Sequence, residues 1–77
     1  MRDTLEVIAE CHYQVKISPL GMISVYETGE RPIKIPGCKC FTHVILESSE
    51  KQRIHRYYLN HVLISSNDAM PILDLIN

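Results

Sequence analysis

The stretch Arg53-Ile54-His55-Arg56-Tyr57-Tyr58-Leu59-Asn60-His61-Val62-Leu63-Ile64-Ser65 decides how the chain is read. Ile54, Tyr57, Tyr58, His61 and Val62 suit one helical face, and no glycine or proline interrupts them. Alternation gives the competing reading. Tyr57, Leu59 and Leu63 fall on one side, and Ile54, Tyr58, Val62 and Ile64 on the other, which is the pattern of a strand covered on both faces. We take the strand, which makes the fold mostly β. A helix over the same residues would give a small α+β interaction domain instead.

Working toward the N-terminus, residues 49–52 form a polar turn and residues 38–48 a strand, with Cys38, Cys40, Thr42, Val44 and Leu46 on one face. Residues 28–37 hold two prolines and two glycines and read as a loop, in which Ile33 and Ile35 dip toward apolar surface. A short strand over 22–27 is preceded by a Pro19-Leu20-Gly21 turn. The first segment is ambiguous. Leu5, Val7, Ala9, Cys11, Tyr13, Val15 and Ile17 alternate as in one long strand, yet Leu5, Ile8 and Ala9 also fit a helical face that Asp3 and Thr4 could cap. The reading adopted is a short helix through about Glu10, then a strand over 12–18. Beyond residue 65, Ser66-Asn67-Asp68 reads as a turn and residues 69–77 as a last strand. Pro71 cannot donate to a ladder, which places that strand at an edge. An edge strand apolar on both faces invites a partner.

A chain of 77 residues makes one domain, 1–77, near the lower limit for a self-sufficient core, while its 45% hydrophobic content is globular rather than disordered. Oligomerisation is one usual remedy for so short a chain. A formal charge of −1 argues against a general electrostatic pull toward nucleic acid or anionic membrane. No apolar run is long enough to span a bilayer, and Met1-Arg2-Asp3-Thr4 lacks the apolar stretch of a signal peptide. Cys11, Cys38 and Cys40 are an odd number, which points away from a disulfide framework and toward a reducing compartment, cytosol or nucleus.

A short helix and five strands joined by tight turns are the plan of a small, strongly bent antiparallel barrel, and here the sequence resembles the Sm-like family. Thr42-His43-Val44-Ile45-Leu46-Glu47 occupies the place of the family's third-strand motif, Met-Asn, three aliphatics and an acid. Ile64-Ser65-Ser66-Asn67 stands where the fourth strand ends in Ile-Arg-Gly-Asn, and Leu59-Asn60 where the family has Leu-Gly, Asn being a fair substitute at positive φ. Tyr13-Gln14-Val15-Lys16-Ile17 is similar to the family's first strand. The resemblance covers most of the chain but is specific only over residues 42–67. Where RNA-gripping members carry a base-contacting Asn and Arg, this chain has His43 and Ser65, and the glycine that bends the second strand is replaced by Ser24 and Val25. Such degenerate members resemble the Gemin subunits of the survival-of-motor-neuron complex, those of the Gemin seven type most of all. That resemblance implies a non-catalytic subunit helping to assemble Sm cores on spliceosomal small nuclear RNAs, in mRNA splicing. It implies pairing with another Sm-like protein through an exposed edge strand.

The remaining motifs have plainer readings. Cys38-Lys39-Cys40 puts two sulfurs on one face, but structural zinc wants two to four intervening residues, and His12, His43, His55 and His61 form no paired second half. Two small residues facing a core are commoner, and no metal or cofactor is expected. Cys11 and His12 point to opposite faces of a strand and make no nucleophile–base pair. Neither a glycine-rich phosphate loop nor a Gly-x-Ser-x-Gly elbow occurs, so catalysis is not expected. Lys51, Arg53, His55 and Arg56 with Tyr57 and Tyr58 could form a nucleic-acid stripe, but Glu47 and Glu50 dilute the field, and tyrosines are also enriched at protein interfaces. The partner-binding residues expected are Tyr57, Tyr58, Asn60, Val62, Ile64, Met70 and Ile72. Direct RNA binding is expected to be weak or absent, with Phe41, His43 and Asn67 as the contacts if it occurs. Two alternatives share the barrel: an RNA-binding Sm-like ring subunit, and an auxiliary Sm-like subunit of an N-terminal acetyltransferase.

Overall fold

The computed structural model describes residues 4–29, 31 and 33–76, and consists of one five-stranded antiparallel sheet with a C-terminal helix. The strands are β1 (Glu6–Ile17), β2 (Ile23–Gly29), β3 (Lys39–Glu47), β4 (Arg53–Leu59) and β5 (Val62–Ile64), and the helix is α1 (Ser66–Ile76). Their order across the sheet is β2-β1-β3-β4-β5, so β2 and β5 are edges and the sheet does not close into the barrel expected.

The N-terminal helix through Glu10 is replaced by strand. β1 is continuous, and its register against β3 shifts between Val7, paired with Leu46, and Ala9, paired with Ile45. Ile8 is the extra residue of a bulge. It lets three apolar residues in a row, Val7-Ile8-Ala9, sit in a strand, and their succession is what imitates a helical face. Of the two expected caps, Asp3 lies outside the described residues and Thr4 precedes the strand.

Residues 53–65, read as one strand, are two strands of a hairpin. Leu59 pairs with Val62, and the two residues between them, Asn60 (φ 49°) and His61 (φ 68°), both take the left-handed conformation of a type I′ turn. The positive φ expected at Asn60 is present. Its N–H donates to the Cys40 carbonyl at 2.7 Å and its Oδ1 accepts the Cys40 N–H at 3.0 Å, extending the β3–β4 ladder by side chain where the backbone turns away.

The turn at 66–68 and the edge strand at 69–77 are both overturned by α1; Asn77 lies outside the described residues. Ser65 caps the helix: its Oγ accepts the Asp68 N–H at 3.1 Å, its carbonyl accepts the Ala69 N–H at 3.1 Å, and Asp68 puts negative charge in the first turn. Ala69, Ile72, Leu73 and Ile76 then recur at helical spacing on the face that packs on the sheet. Pro71 sits on the exposed side, where the helix goes without one hydrogen bond to the Asn67 carbonyl.

Cross-strand partners share a face of the sheet. On the first face α1 covers Val15 and Phe41, and these with Ala69 and Ile72 are the buried core, flanked by Tyr13, Ile23, Val25, Tyr57, Leu59 and Ile64. On the second face the segment before β3 lies over Gln14, whose Oε1 accepts the Ile35 N–H at 3.3 Å while its Nε2 donates to Cys40 Sγ at 3.2 Å. Ile35 is half-buried there, whereas Ile33 stays exposed. Both covers sit at the same end of the sheet. At the other end, where β1, β3 and β4 run on past the helix, none of the described residues forms a covering layer on either face. The molecule is accordingly elongated, 49 × 24 × 21 Å. Among the described residues no helix is long and apolar enough to cross a membrane.

Candidate protein-interaction surface

The end of the sheet beyond the helix is where side chains collect without a covering layer among the described residues. On the first face they form an aromatic row. Tyr13 and Phe41 have ring centroids 6.2 Å apart, Phe41 and Tyr57 also 6.2 Å, Tyr57 and His43 4.8 Å, and His43 and His55 5.1 Å. The row begins under the helix and emerges at His55, which is exposed. His43 Nε2 and His55 Nδ1 lie 2.8 Å apart, so one ring donates and the other accepts, an arrangement that needs a proton on only one of the two facing nitrogens. Burial first, and then the neighbouring His55, lower the pKa of His43 below the usual imidazole value. At the inner end, burial and the adjacent Cys11 thiol raise that of Tyr13.

The second face is organised by the β1–β3–β4 register into three rows: Val7-Leu46-Ile54, Glu10-Val44-Arg56 and His12-Thr42-Tyr58. A cleft of about 420 Å³ opens among Val7, Glu10, His12, Thr42, Val44, Tyr58 and His61. His12 is buried on its floor with both ring nitrogens engaged: Nδ1 lies 3.3 Å from Thr42 Oγ1 and Nε2 3.0 Å from Glu10 Oε1. With these links made, the cleft is a shaped apolar depression rimmed by charge rather than a set of unpaired reactive groups. No three histidine, cysteine, aspartate or glutamate side chains converge as a metal set among the described residues.

Compared with known proteins, no family model, curated protein or solved structure matches this chain.

The residues expected at a partner interface are scattered by the hairpin and the helix. Val62 is exposed on edge strand β5, with Leu63 beside it on the opposite face. Asn60 is exposed in the turn, and Met70 is exposed on α1. Tyr57 and Tyr58 are half-buried on opposite faces, Tyr57 in the aromatic row and Tyr58 at the cleft. Ile64 packs against the core, and Ile72 is part of it. Of the proposed RNA contacts, Phe41 is wholly buried, His43 is half-buried in the row, and Asn67 is exposed in the first turn of α1. The basic stripe is divided: Glu47 meets Lys51 at 3.4 Å and Arg53 at 4.0 Å on one side, while Arg56 points to the other. Sequence reasoning missed Val7, Glu10 and His12 as members of one surface. Only the bulge at Ile8 fixes which of their neighbours they meet, and no residue-level signal marks it.

Proposed function

We propose that this chain is a non-catalytic protein-interaction domain that joins a larger complex by lending the outer edge of β5 to a strand of another protein. What carries the reading is β5 itself: an edge strand whose Val62 and Leu63 are 64% and 60% exposed, one on each face. An added strand would satisfy its open backbone groups while these two side chains, with Tyr58 paired to Leu63 on the adjacent strand, supply the apolar anchors. Val62→Asp tests it. The substitution is exposed and should leave the circular dichroism spectrum unchanged while abolishing recovery of the partner in an affinity purification. A complex that survives it removes β5 as the docking edge.

A finer reading makes the partner another Sm-like protein, and the complex one that assembles Sm cores on spliceosomal small nuclear RNAs in the cytoplasm or nucleus. Its support is the resemblance over residues 42–67, together with the positive φ of Asn60 at the position of the family's glycine. The C-terminal place of the helix and the open sheet, with β1 between β2 and β3, weigh against it. The same purification decides. Sm proteins with survival-of-motor-neuron components support the reading. An N-terminal acetyltransferase, or the chain alone with RNA, overturns it.

A further inference from the structure

The accessible surface is 5912 Å², whereas a compact monomer of this mass exposes about 4,800 Å². The excess of about 1,100 Å² is comparable with what one partner contributes to a standard interface, about 800 Å². The second face of the bare sheet end concentrates apolar groups without a cover: Val7 and Ile54 are exposed, Val44 is half-buried, and Leu46 lies beneath them. Its charges are segregated. In the row Glu10-Val44-Arg56 the acid is on β1, the base on β4, and the apolar residue on the central strand β3.

That distribution is self-complementary under one operation. A rotation of 180° about an axis running along β3, just above this face, sets β1 over β4 of a second copy and leaves position along the strand unchanged. Glu10 then meets the second copy's Arg56, and Arg56 its Glu10. Val7 faces the other Ile54, and Val44 and Leu46 face their own equivalents on the axis. Residues of one row stay in register because they pair with the same β3 residue. We propose that the chain forms a two-fold symmetric homodimer by packing this face on itself, as two aligned antiparallel sheets with a pair of Glu10–Arg56 contacts flanking an apolar centre. The partner's side chains fill the cleft beside His12 and Thr42. A second copy is favoured over an unrelated protein because the charge pattern, an acid and a base at equal distances on either side of the apolar strand, matches itself with no like charges opposed. The surface is distinct from the β5 edge, so the dimer leaves that edge free.

Sedimentation equilibrium of the full chain tests the proposal. The wild type should be dimeric at about 100 µM, and Glu10→Arg or Arg56→Glu alone should weaken dimerisation by about tenfold or more, since each reversal opposes like charges twice in a symmetric interface. The double variant Glu10→Arg/Arg56→Glu should regain the wild-type constant. A monomeric wild type overturns the proposal, as does a dimer indifferent to the single reversals, which would lie at a strand edge instead. Should a reversal unfold the chain, mixed-label nuclear magnetic resonance of the wild type discriminates equally well. Within one copy Leu46 separates Val7 from Ile54, so an Overhauser effect between Val7 of one copy and Ile54 of the other supports this packing, and its absence from a dimeric sample refutes it. A dimeric wild type whose partner still binds the Val62→Asp variant fails the β5 reading alone, and a monomeric wild type whose partner is lost on Val62→Asp fails this inference alone.

Discussion

Replacing His61 by glycine is expected to stabilise the domain. His61 occupies the second central position of the β4–β5 turn at φ 68°, directly after Asn60 at φ 49°. A non-glycine residue in the left-handed region costs about 1–2 kcal/mol through the clash of its Cβ with the following carbonyl. Glycine removes that cost but gives back about 0.5–1 kcal/mol in the greater freedom of its unfolded chain. The net gain is about 0.5–1 kcal/mol, because His61 is exposed and makes no contact that the core depends on. In a domain of this size 1 kcal/mol moves the melting temperature by about 4–8 °C, so a rise of about 2–8 °C is expected. The resulting Asn-Gly pair is also the strongest two-residue hairpin signal. The assay is thermal denaturation followed by circular dichroism, with wild type and variant at one low protein concentration so that any self-association contributes equally. An unchanged or lower melting temperature would refute the assignment of a strained two-residue turn, and with it the division of residues 53–65 into two strands.

Two further outcomes follow from the helix and the histidine pair. Pro71→Ala restores a donor in the exposed middle of α1. It should raise stability by about 2 kcal/mol, the difference between the propensity gain of about 3 and the unfolded-state rigidity that proline supplies; a lower urea midpoint at unchanged slope would contradict a helix at this position. Because the folded pKa of His43 is depressed, the unfolded chain binds the proton first on acidification. The stability this site contributes is complete above the ordinary imidazole value of about 6.5, and falls as pH drops through that value toward the folded pKa. Urea melts from pH 8 to pH 5 should show this decline, and His43→Asn should flatten it; a wild-type profile that rises on acidification would show that the imidazole pair is not held as described.

The central strand was the most legible part of the sequence. Cys40, Thr42, Val44 and Leu46 alternate without interruption, turn chemistry marks both ends, and β3 starts within one residue of the expected boundary. Asn60 was legible as well, since few residues other than asparagine and glycine sit easily at positive φ. The two ends of the chain exchanged identities. At the N-terminus a bulge let consecutive apolar residues occupy a strand, and local periodicity does not register bulges. At the C-terminus Ala69, Ile72, Leu73 and Ile76 carry the helical period and Ser65 with Asp68 the capping pattern, but the strand reading of this segment takes Pro71 only as the reason to place it at an edge. That inference fails because a proline on the solvent side of a helix loses one hydrogen bond without disturbing the packed face. The candidate surface was legible only as isolated residues. The opposition of Glu10 and Arg56 across Val44 depends on a register between segments more than thirty residues apart in sequence.

The strand order has a consequence for how the molecule could be taken apart. β1 and β2 are a local hairpin, β3, β4 and β5 a local meander, and among the described residues the strand pairing that joins them is the β1–β3 seam. Gln14, bonded to both Ile35 and Cys40, buttons that seam on one side, and α1, touching β2 and β4, clasps it on the other. The β1–β2 arm could not hold its shape alone, since an isolated two-stranded hairpin is marginal in water, whereas the other arm has three strands and a helix to pack on them. Severed in the segment between β2 and β3, the chain would yield a hairpin piece that orders only on meeting the rest. For that piece, folding and recognition of a second polypeptide would be the same event.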